Sequence, residues 1–454
     1  MISLRATMRV ALRNSAKSRE AALERRSQNF TWLPTQNARR TVKLWRYALK
    51  QHRKHMASIA STAACEATDL ELYLDRVRAL APLIIESVEA IERDRRLPPQ
   101  LRAGLYDAGL FRLLLEKRFN GAEVCPSDFS RIIEEVAKHD ASTAWCLCQA
   151  NGCSMSASFL DDDVANEIWG HDPQGAVAWG PGKSEAVREG EGFRVNANCA
   201  FASGGRHATW IGTHATIVDG NGQPVLDEHG AKTVRTMLIP AAKIIWEDIW
   251  HVVGLRGTAS DGFVVKDVFV PHKHSLQRDS AQERRTDRPL YLFRQTNLYA
   301  SGFSGVAMGI AQAMVDAFAE LAVNKTPRRA KSVLSQNAVV QSEFARASIR
   351  LNAARTFQRS ELAEIWAAVR ASGELTIAQR MRIRLATTHA IHEAKAAADT
   401  VYDAAGATAI FTNGPYERRF RDLHTVTQQA QGKKAHYETV GAFMLGNTAD
   451  LSNL

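Results

Sequence analysis

The sequence predicts an α+β protein that is mostly α, with an N-terminal helical domain, a small barrel-like β-domain in the centre and a C-terminal helical bundle. Three observations carry this prediction. Apolar residues recur at helical spacing between residues 68 and 96, short strands with glycine-rich turns follow residue 175, and long Ala- and Leu-rich segments return after residue 295. The predicted boundaries are 1–65 for a basic, disordered extension, 66–172 for the N-terminal helical domain, 173–275 for the β-domain, 276–294 for a linker and 295–454 for the bundle.

Four main helices are predicted in the N-terminal domain. The first spans 68–96, with Thr68 or Asp69 as its N-cap, because these side chains accept hydrogen bonds from free backbone N–H groups. Pro98 and Pro99 start the second helix, and Gly109 ends it. The pattern further predicts a third helix capped by Ser127, a fourth from about 142 to 160, and a short acidic helix start at 161–169.

The β-domain is predicted from strands near 176–182, 210–220 and 233–240, and from a hairpin around residues 189–192. Its most informative segment is GLRGTASDGFVVKDVFVP at 254–271. Three glycines allow close backbone approach or positive φ, Thr258 and Ser260 supply hydroxyls, and β-forming residues lead up to Pro271. The segment is therefore interpreted as a tight turn that leads into an alternating strand.

Helical spacing in the C-terminal part predicts long helices at 303–323, 337–371 and 376–405 and shorter ones near 416–430 and 434–446. These lengths suit an antiparallel bundle. No run of 18 apolar residues occurs, and no secretory pattern opens the chain. We therefore expect no membrane association and a cytosolic protein.

The net charge of +10 lies almost wholly in the first 55 residues, which contain 14 Lys or Arg and only two acids. The remainder carries 44 basic and 46 acidic residues, so the charge does not lie on a folded face as nucleic-acid binding would require. The favoured interpretation is that Met56 is the natural start. A transit peptide or an arm for an anionic partner is the alternative.

No metal or nicotinamide site is predicted. Cys146, Cys148 and Cys153 lie on a segment with the pattern of a buried helix, which favours free core thiols over a zinc site. The stretch GPGKSE at 180–185 lacks both the last glycine and the βαβ frame of a dinucleotide fingerprint.

A second informative cluster is FASGGRHATW at 201–210, in which two glycines and a His-Ala pair follow Ser203. Together with segment 254–271 and the helices on both sides, it resembles the acyl-CoA dehydrogenase superfamily and, within it, the flavin-dependent monooxygenase branch. The resemblance runs from about residue 70 to 446. It implies a small β-domain that holds a flavin between helical domains.

The resemblance also implies roles for single residues. Ser203 would lie near flavin N5 and support the oxygen adduct of the flavin. The implied cofactor-binding residues are Trp179, Ser203, Gly204, Arg256, Thr258, Ser260 and Gln341, of which the last would act on the flavin of a neighbouring subunit. The implied substrate-binding residues are Trp145, His207 and Gln428.

The block RRFRDLHTVTQQAQG at 418–432 distinguishes the branches. Many acyl-CoA dehydrogenases place a catalytic carboxylate here, whereas this chain has no acid between Gln428 and Gln431, which disfavours dehydrogenation. The monooxygenase branch usually has a histidine at the position of Gln429. Glutamine cannot take a proton, so either His424 takes over that role or the substrate needs no deprotonation, as for an indole, an amine or a thioether.

We therefore predict a flavin-dependent monooxygenase that oxygenates a small, aromatic or heteroaromatic substrate. Ser203, His424 and Gln429 are its predicted catalytic residues. The implied cofactor is reduced flavin, FAD or FMN, supplied by a separate NAD(P)H-dependent reductase, and the family implies a homotetramer. Two alternatives remain open, an acyl-CoA dehydrogenase with Glu361 or Glu364 as its base and a non-catalytic relative of the fold.

Overall fold

The structure of the protein is a computed structural model that describes residues 70–451. The predicted basic extension, the start at Met56 and the cap at Thr68 or Asp69 lie outside the described residues. Within 70–451 the chain forms helices, then a sheet, then helices again, as predicted. The predicted fold class, α+β and mostly α, is confirmed.

The first predicted helix is divided into two helices at Ser87. The second of these ends at Arg95, whose φ is 54°. The next helix ends before Gly109 as predicted, with φ 72° at that glycine. The third helix has Cys125 rather than Ser127 as its N-cap, and the N-cap of the fourth is Asp140, whose side chain accepts from the backbone N–H of Thr143. The N-terminal helices are α1 Leu70–Glu86, α2 Val88–Asp94, α3 Pro99–Asp107, α4 Pro126–Ala137, α5 Ala141–Ser154 and α6 Asp162–Ala165.

The β-domain is one mixed sheet in the order β6-β7-β3-β2-β4-β5-β8, with β1 parallel to β4. The predicted hairpin is confirmed, since β2 and β3 pair antiparallel and Glu189 lies opposite Gly192. The strands are β1 Val177–Trp179, β2 Gly182–Glu189, β3 Gly192–Cys199, β4 Trp210–Val218, β5 Val234–Pro240, β6 Ile245–Glu247, β7 Gly262–Pro271 and β8 Ser275–Leu276. Strand β7 pairs with β3 on one side and β6 on the other, which places the loop before it at the end of the sheet.

The C-terminal helices are α7 Gln295–Asn324, α8 Ala338–Ser372, α9 Ile377–Ala405, α10 Glu417–Val426 and α11 Ala435–Met444. Helix α7 begins earlier than predicted, and α10 ends at Val426, so Gln428 and Gln429 follow the helix. Helix α7 is long and apolar enough to cross a bilayer, but much of it is buried against neighbouring helices as in a bundle core. Gly305 and Gly309 permit this packing, because a Cβ there would lie 2.5 Å from Ser130 O and 2.3 Å from Glu134 O.

Candidate functional site

The loop between β6 and β7 is folded tightly at residues 254–261. A 3-10 turn at Arg256–Thr258 is flanked by Leu255 at φ 54° and Ala259 at φ 45°. The sequence predicted glycines here for close backbone approach or positive φ, and close approach is what they provide. A Cβ on Gly254 would lie 2.4 Å from the backbone oxygen of Arg421. Non-glycine residues thus hold the strained conformations, a pattern that is common at functional sites.

Three backbone contacts fix this loop to its surroundings. The N–H of Leu255 donates to Asp422 Oδ1 at 2.6 Å, and the N–H of Gly257 donates to Ser142 Oγ at 3.2 Å. The backbone oxygen of Thr258 accepts from the N–H of Gly204 at 2.8 Å. Helix α10, helix α5 and segment 201–208 therefore meet at one loop.

A row of buried polar groups runs through this junction, and we call it the hydroxyl chain. Trp145 Nε1 donates to Ser203 Oγ at 3.0 Å, and Ser203 Oγ lies 2.7 Å from Ser260 Oγ. Ser260 Oγ lies 2.7 Å from Thr258 Oγ1, which donates to the backbone oxygen of Leu255 at 2.8 Å. Three hydroxyls predicted to contact a cofactor therefore form one connected group with Trp145.

Segment 201–208 combines an exposed aromatic ring with open space. Phe201 has φ 59° and is 61% exposed, and its ring packs edge-on against Trp250 at 6.0 Å. Gly204 has φ 72°, and a Cβ added there would meet no atom within 4 Å. A flat apolar surface thus lies next to the buried Ser203. Sequence reasoning missed Phe201 and Trp250, although an aromatic residue just before Ala-Ser-Gly-Gly was a signal for the first.

His207 is buried and neutral. Its Nε2 accepts from the backbone N–H of Leu97 at 3.1 Å, so the proton is on Nδ1, which has no partner among the described residues. Burial, with help from Arg102, lowers the pKa of His207 to about 3. His207 can therefore donate a hydrogen bond but cannot act as a cationic acid.

The unpaired Nδ1 of His207 borders a narrow cavity. The volume of this cavity is about 10 Å³. Its lining also includes Ser203, Gly204, Tyr106 and Phe111. The Tyr106 hydroxyl is likewise buried without a partner among the described residues. A larger cavity of about 160 Å³ includes Ala259 and Trp250, and its charged groups pair with each other, Arg95 with Asp248 and Arg206 with Asp261.

Asp422 links this site to helix α10, and sequence reasoning did not single it out. Its carboxylate is buried, and burial raises its pKa to about 7 against the opposing effects of Arg418 and the N–H of Leu255. The Arg-Asp pair in RRFRDLH was visible in the sequence, but the partner in a distant loop was not.

The side chains of three predicted cofactor residues contact groups other than those of the hydroxyl chain. Trp179 is buried, with its ring 5.2 Å from that of His214 and under the guanidinium of Arg278 at 5.6 Å. Arg256 Nε donates to the backbone oxygen of Val252 at 3.0 Å. Gln341 is exposed near the start of α8, and its Nε2 donates to the backbone oxygen of Ser335 at 2.8 Å.

The C-terminal candidates make hydrogen bonds within the helical bundle and within their own segment. His424 Nε2 lies 3.0 Å from Asp399 Oδ1, and its ring packs on Phe420 at 4.2 Å. Gln429 accepts from the N–H of Gln431 at 2.8 Å, and its buried Nε2 has no partner among the described residues. Gln428 is exposed, and its Nε2 donates to Thr427 Oγ1 at 3.2 Å.

The donor set near Ser203 fits a flavin. An exposed aromatic ring and a glycine over open space suit a flat tricyclic ring, and a buried hydroxyl and an unpaired His N–H suit its polar edge. In the range 70–451 no three His, Cys, Asp or Glu residues are grouped to hold a metal ion. The five described cysteines are free and buried, including Cys146, Cys148 and Cys153, and burial raises the pKa of each of these three thiols.

Comparison with known proteins gives consistent results. Residues 301–433 match the family model of the acyl-CoA dehydrogenase C-terminal domain. Indole-3-acetate monooxygenase of Acinetobacter baumannii is 29% identical over 343 residues, which are 74% of this chain and 85% of that protein. The oxygenase subunit HsaA of a flavin-dependent monooxygenase from Mycobacterium tuberculosis is 27% identical over 369 residues, 78% of this chain and 90% of its own.

Solved structures agree. The HsaA monooxygenase from M. tuberculosis superposes with a TM-score of 0.77 at 25% identity, covering 85% of this chain and 100% of that one. XiaF from Streptomyces sp., solved with FADH2 and glycerol, has the same fold, with a TM-score of 0.78 at 24% identity over 89% of this chain and 100% of that one. The resemblance inferred from the sequence is confirmed. The chain carries an acyl-CoA dehydrogenase C-terminal domain and is a homologue of the oxygenase components of flavin-dependent monooxygenases.

Proposed function

We propose that this chain is the oxygenase component of a two-component monooxygenase, which uses reduced flavin and dioxygen to oxygenate a small aromatic or heteroaromatic substrate. One observation carries the proposal. The buried Ser203 is the end of the hydroxyl chain that lies beside the exposed ring of Phe201 and the open space at Gly204. We propose that the edge of the flavin ring lies there, next to the Ser203 hydroxyl.

The chain's own residues would bind, orient and exclude water. Ser203 and Gly204 would contact the polar edge of the ring, Thr258 and Ser260 would hold Ser203, and Trp179 and Arg256 would complete the cofactor site. Gln341 would reach the flavin of a neighbouring subunit, which agrees with its exposure near the start of α8. Reduced flavin, when bound, supplies the electrons that activate dioxygen. The burial of Ser203 and Trp145 supports a water-poor site, as such chemistry requires.

The substrate would lie against Trp145 and His207 and reach the segment that holds Gln428 and Gln429. Gln429 cannot take a proton from a phenol, and His424 is engaged with Asp399. This favours a substrate that needs no deprotonation. An indole is the class we propose first, because a relative named indole-3-acetate monooxygenase is among the similar proteins.

The partners follow from the same proposal. The relative named as an oxygenase subunit implies a separate enzyme that reduces flavin, and we propose an NAD(P)H-dependent one. A homotetramer in the cytosol, without membrane or nucleic-acid association, is the proposed assembly. Whether FAD or FMN is used is part of the test below.

The dehydrogenase alternative is less well supported. Glu361 and Glu364 both pair with Arg382, at 2.6 Å and 2.9 Å, and Glu364 is largely exposed. Both carboxylates are therefore engaged with a guanidinium group. The non-catalytic alternative has no observation of its own beyond Gln429.

The experiment supplies purified protein with chemically reduced FMN or FAD, then with ¹⁸O₂ and a panel of indoles, phenols and thioethers. The proposal expects a product that carries one ¹⁸O atom, and Ser203→Ala should lower its yield per flavin oxidised. Anaerobic bleaching of bound oxidised flavin by an acyl-CoA, without product from the aromatic panel, would support the dehydrogenase. A protein that binds neither flavin would be the non-catalytic relative.

A further inference from the structure

We infer that the narrow cavity between α3, α5 and segment 201–208 binds one internal water molecule, held by the side chains of Tyr106 and His207. The ligand of this site is not the flavin. The inference can therefore be tested on protein without cofactor, and it stands or falls separately from the proposed function.

Two polar groups on the wall of this cavity lack a partner in the protein. Neither the Tyr106 hydroxyl nor Nδ1 of His207 makes a hydrogen bond within residues 70–451. Both residues are only 9% exposed, so bulk solvent does not supply the missing partner. A buried donor without an acceptor is costly, and two of them at one cavity therefore indicate a ligand that satisfies both.

The two groups define what that ligand must offer. His207 Nε2 accepts from the backbone N–H of Leu97 at 3.1 Å, which leaves Nδ1–H as a donor. Burial lowers the pKa of His207 to about 3 and raises the pKa of Tyr106 above its ordinary value, so both side chains are neutral near pH 7. The wall thus presents an N–H and an O–H, and a water molecule has a lone pair for each of them.

The size of the cavity limits the ligand to one small molecule. Its volume of about 10 Å³ is close to the roughly 10–15 Å³ that one internal water needs. A carboxylate or an aromatic ring is larger than this. The polar groups of a substrate therefore stay outside the cavity.

Water is favoured over the other ligands of this size. Much of the wall is apolar, including Phe111, Ala150 and Val177, and such a wall would also suit dioxygen. Dioxygen is a poor hydrogen-bond acceptor, however, and would leave both donors unsatisfied. A halide ion would accept from both, but its charge would lose its hydration beside two neutral side chains.

The water would connect two parts of the cofactor site. Tyr106 belongs to α3, whereas His207 ends the 3-10 turn Gly205–His207, and its backbone N–H donates to Gly204 O at 2.9 Å. His207 would then be held on both ring nitrogens, by Leu97 and by the water. Since the water accepts from both side chains, its own two protons remain for acceptors on the side of Ser203 and Gly204. In the proposed function, the donor of His207 would reach the flavin edge through the water.

The first test is a high-resolution crystal structure of the cofactor-free protein, determined without additive, under xenon pressure and with bromide. We expect one water peak within hydrogen-bond distance of Tyr106 Oη and His207 Nδ1, and neither xenon nor bromide in the cavity. Xenon would show a dry apolar cavity, which takes up such gases, and would overturn the inference. An anomalous bromide peak, or no density at all, would also overturn it.

The second test uses the sign of a stability change. Tyr106→Phe removes the hydroxyl and keeps the ring that stacks on Phe111 at 4.2 Å. With the water present, the substitution removes a hydrogen bond, and the midpoint of denaturant unfolding should fall. In a dry cavity it would remove an unsatisfied buried group, and the midpoint would rise.

A second substitution reaches the same water from the other side. His207→Gln can keep an acceptor for the Leu97 N–H but has no donor at the position of Nδ1. We expect it to remove the water peak and to lower the midpoint. Because both side chains act on one molecule, the double variant Tyr106→Phe/His207→Gln should lose less stability than the sum of the two single changes.

Tyr291→Phe is the matched control, since the buried Tyr291 hydroxyl donates to Leu114 O at 3.1 Å and does not line this cavity. It should lower the midpoint, leave the water peak in place and add to His207→Gln without coupling. If Tyr106→Phe raises the midpoint, or is as additive with His207→Gln as Tyr291→Phe is, the two side chains share no ligand and the inference fails.

Discussion

Two polar regions lie near helix α10, and the hydrogen-bonding groups of each find their partners in different ways. The hydroxyl chain is buried and connected from Trp145 to Leu255. The C-terminal segment, residues 424–431, is partly exposed; His424 and Gln431 bind Asp399 and Arg384 of α9, whereas Gln429 Nε2 has no partner among the described residues. The first region is organised before a ligand arrives. The second keeps hydrogen-bonding capacity that a substrate can use.

The largest effect is expected at Asp422, which joins the two regions. Asp422→Ala removes the acceptor of the Leu255 N–H at 2.6 Å and leaves that buried group without its partner, whereas Arg418 stays paired with Asp140. We expect the free energy of unfolding to fall by about 2 kcal/mol, as is usual when a buried donor is left unsatisfied. Denaturant unfolding at pH 7 measures it. A loss below about 0.5 kcal/mol, the usual size of a surface effect, would mean that α10 does not hold the loop.

Asp422→Asn separates the hydrogen bond from the charge, because the amide oxygen still accepts from Leu255. The pKa of Asp422 in the folded protein is raised to about 7, above the ordinary aspartate value. The folded state therefore binds the proton more tightly, and this group's contribution to stability is full at pH 4, lost as the pH rises toward 7, and constant above. We expect the stability of Asp422→Asn relative to the wild type to increase over that window. Equal pH slopes in the two proteins would contradict the raised pKa.

Gly204 tests whether the space beside the hydroxyl chain is a ligand site. Gly204→Ala places a Cβ in open space at φ 72°, so the expected loss of stability, about 1–2 kcal/mol, comes from the backbone alone. Flavin binding should weaken at least about tenfold, because the methyl group would occupy the space that we propose for the flavin ring. Gly373→Ala is the matched control, since Gly373 also has φ 72° with nothing within 4 Å and lies at the end of α8. Equal flavin affinities in the two variants would argue against this site.

The contrast between the regions also shows what the sequence can predict. Thr258, Ser260 and Ser203 were identified because Gly-rich turns with hydroxyls have a local pattern, and the strand that follows them alternates. Their connection to Trp145 was not predictable, because it joins residues 58 positions apart through packing of a helix on a sheet. Close approach or positive φ was predicted at the glycines of this turn; Gly254 and Gly257 serve close approach, whereas the positive φ values occur at Leu255 and Ala259.

The C-terminal segment was harder to interpret for the same physical reason. A helix was predicted to reach residue 430, but it ends at Val426, and this turns Gln428 outward and leaves Gln429 partly buried. His424 was a candidate base on its spacing alone. Its contact with Asp399 comes from the packing of α10 on α9, which no local pattern records.

One residue from each region can be compared directly. Ser203→Ala should lower the yield of oxygenated product per reduced flavin consumed at least about tenfold, since the hydrogen bond that we propose between Ser203 and the cofactor would be lost. His424→Asn should change the same yield by less than about threefold, because its contacts are with Asp399 and Phe420. Product analysis under single-turnover conditions measures both. The reverse order of effects would move the chemistry to the C-terminal segment.

The smallest effect is expected at Gln429, and it shows which substrate class the segment accepts. Gln429→His supplies a group with an ordinary pKa of about 6.5, which can take the proton of a phenol in its neutral form. We expect kcat/KM for phenols to rise a few-fold above that pH and to show a new inflection there, while kcat/KM for indoles, which need no deprotonation, keeps the wild-type profile. Gln428→His, at the exposed neighbouring position, is the control and should show no inflection. A wild-type protein that already has this inflection, and loses it in His424→Asn, would assign the base to His424 and make Gln429 an orienting group only.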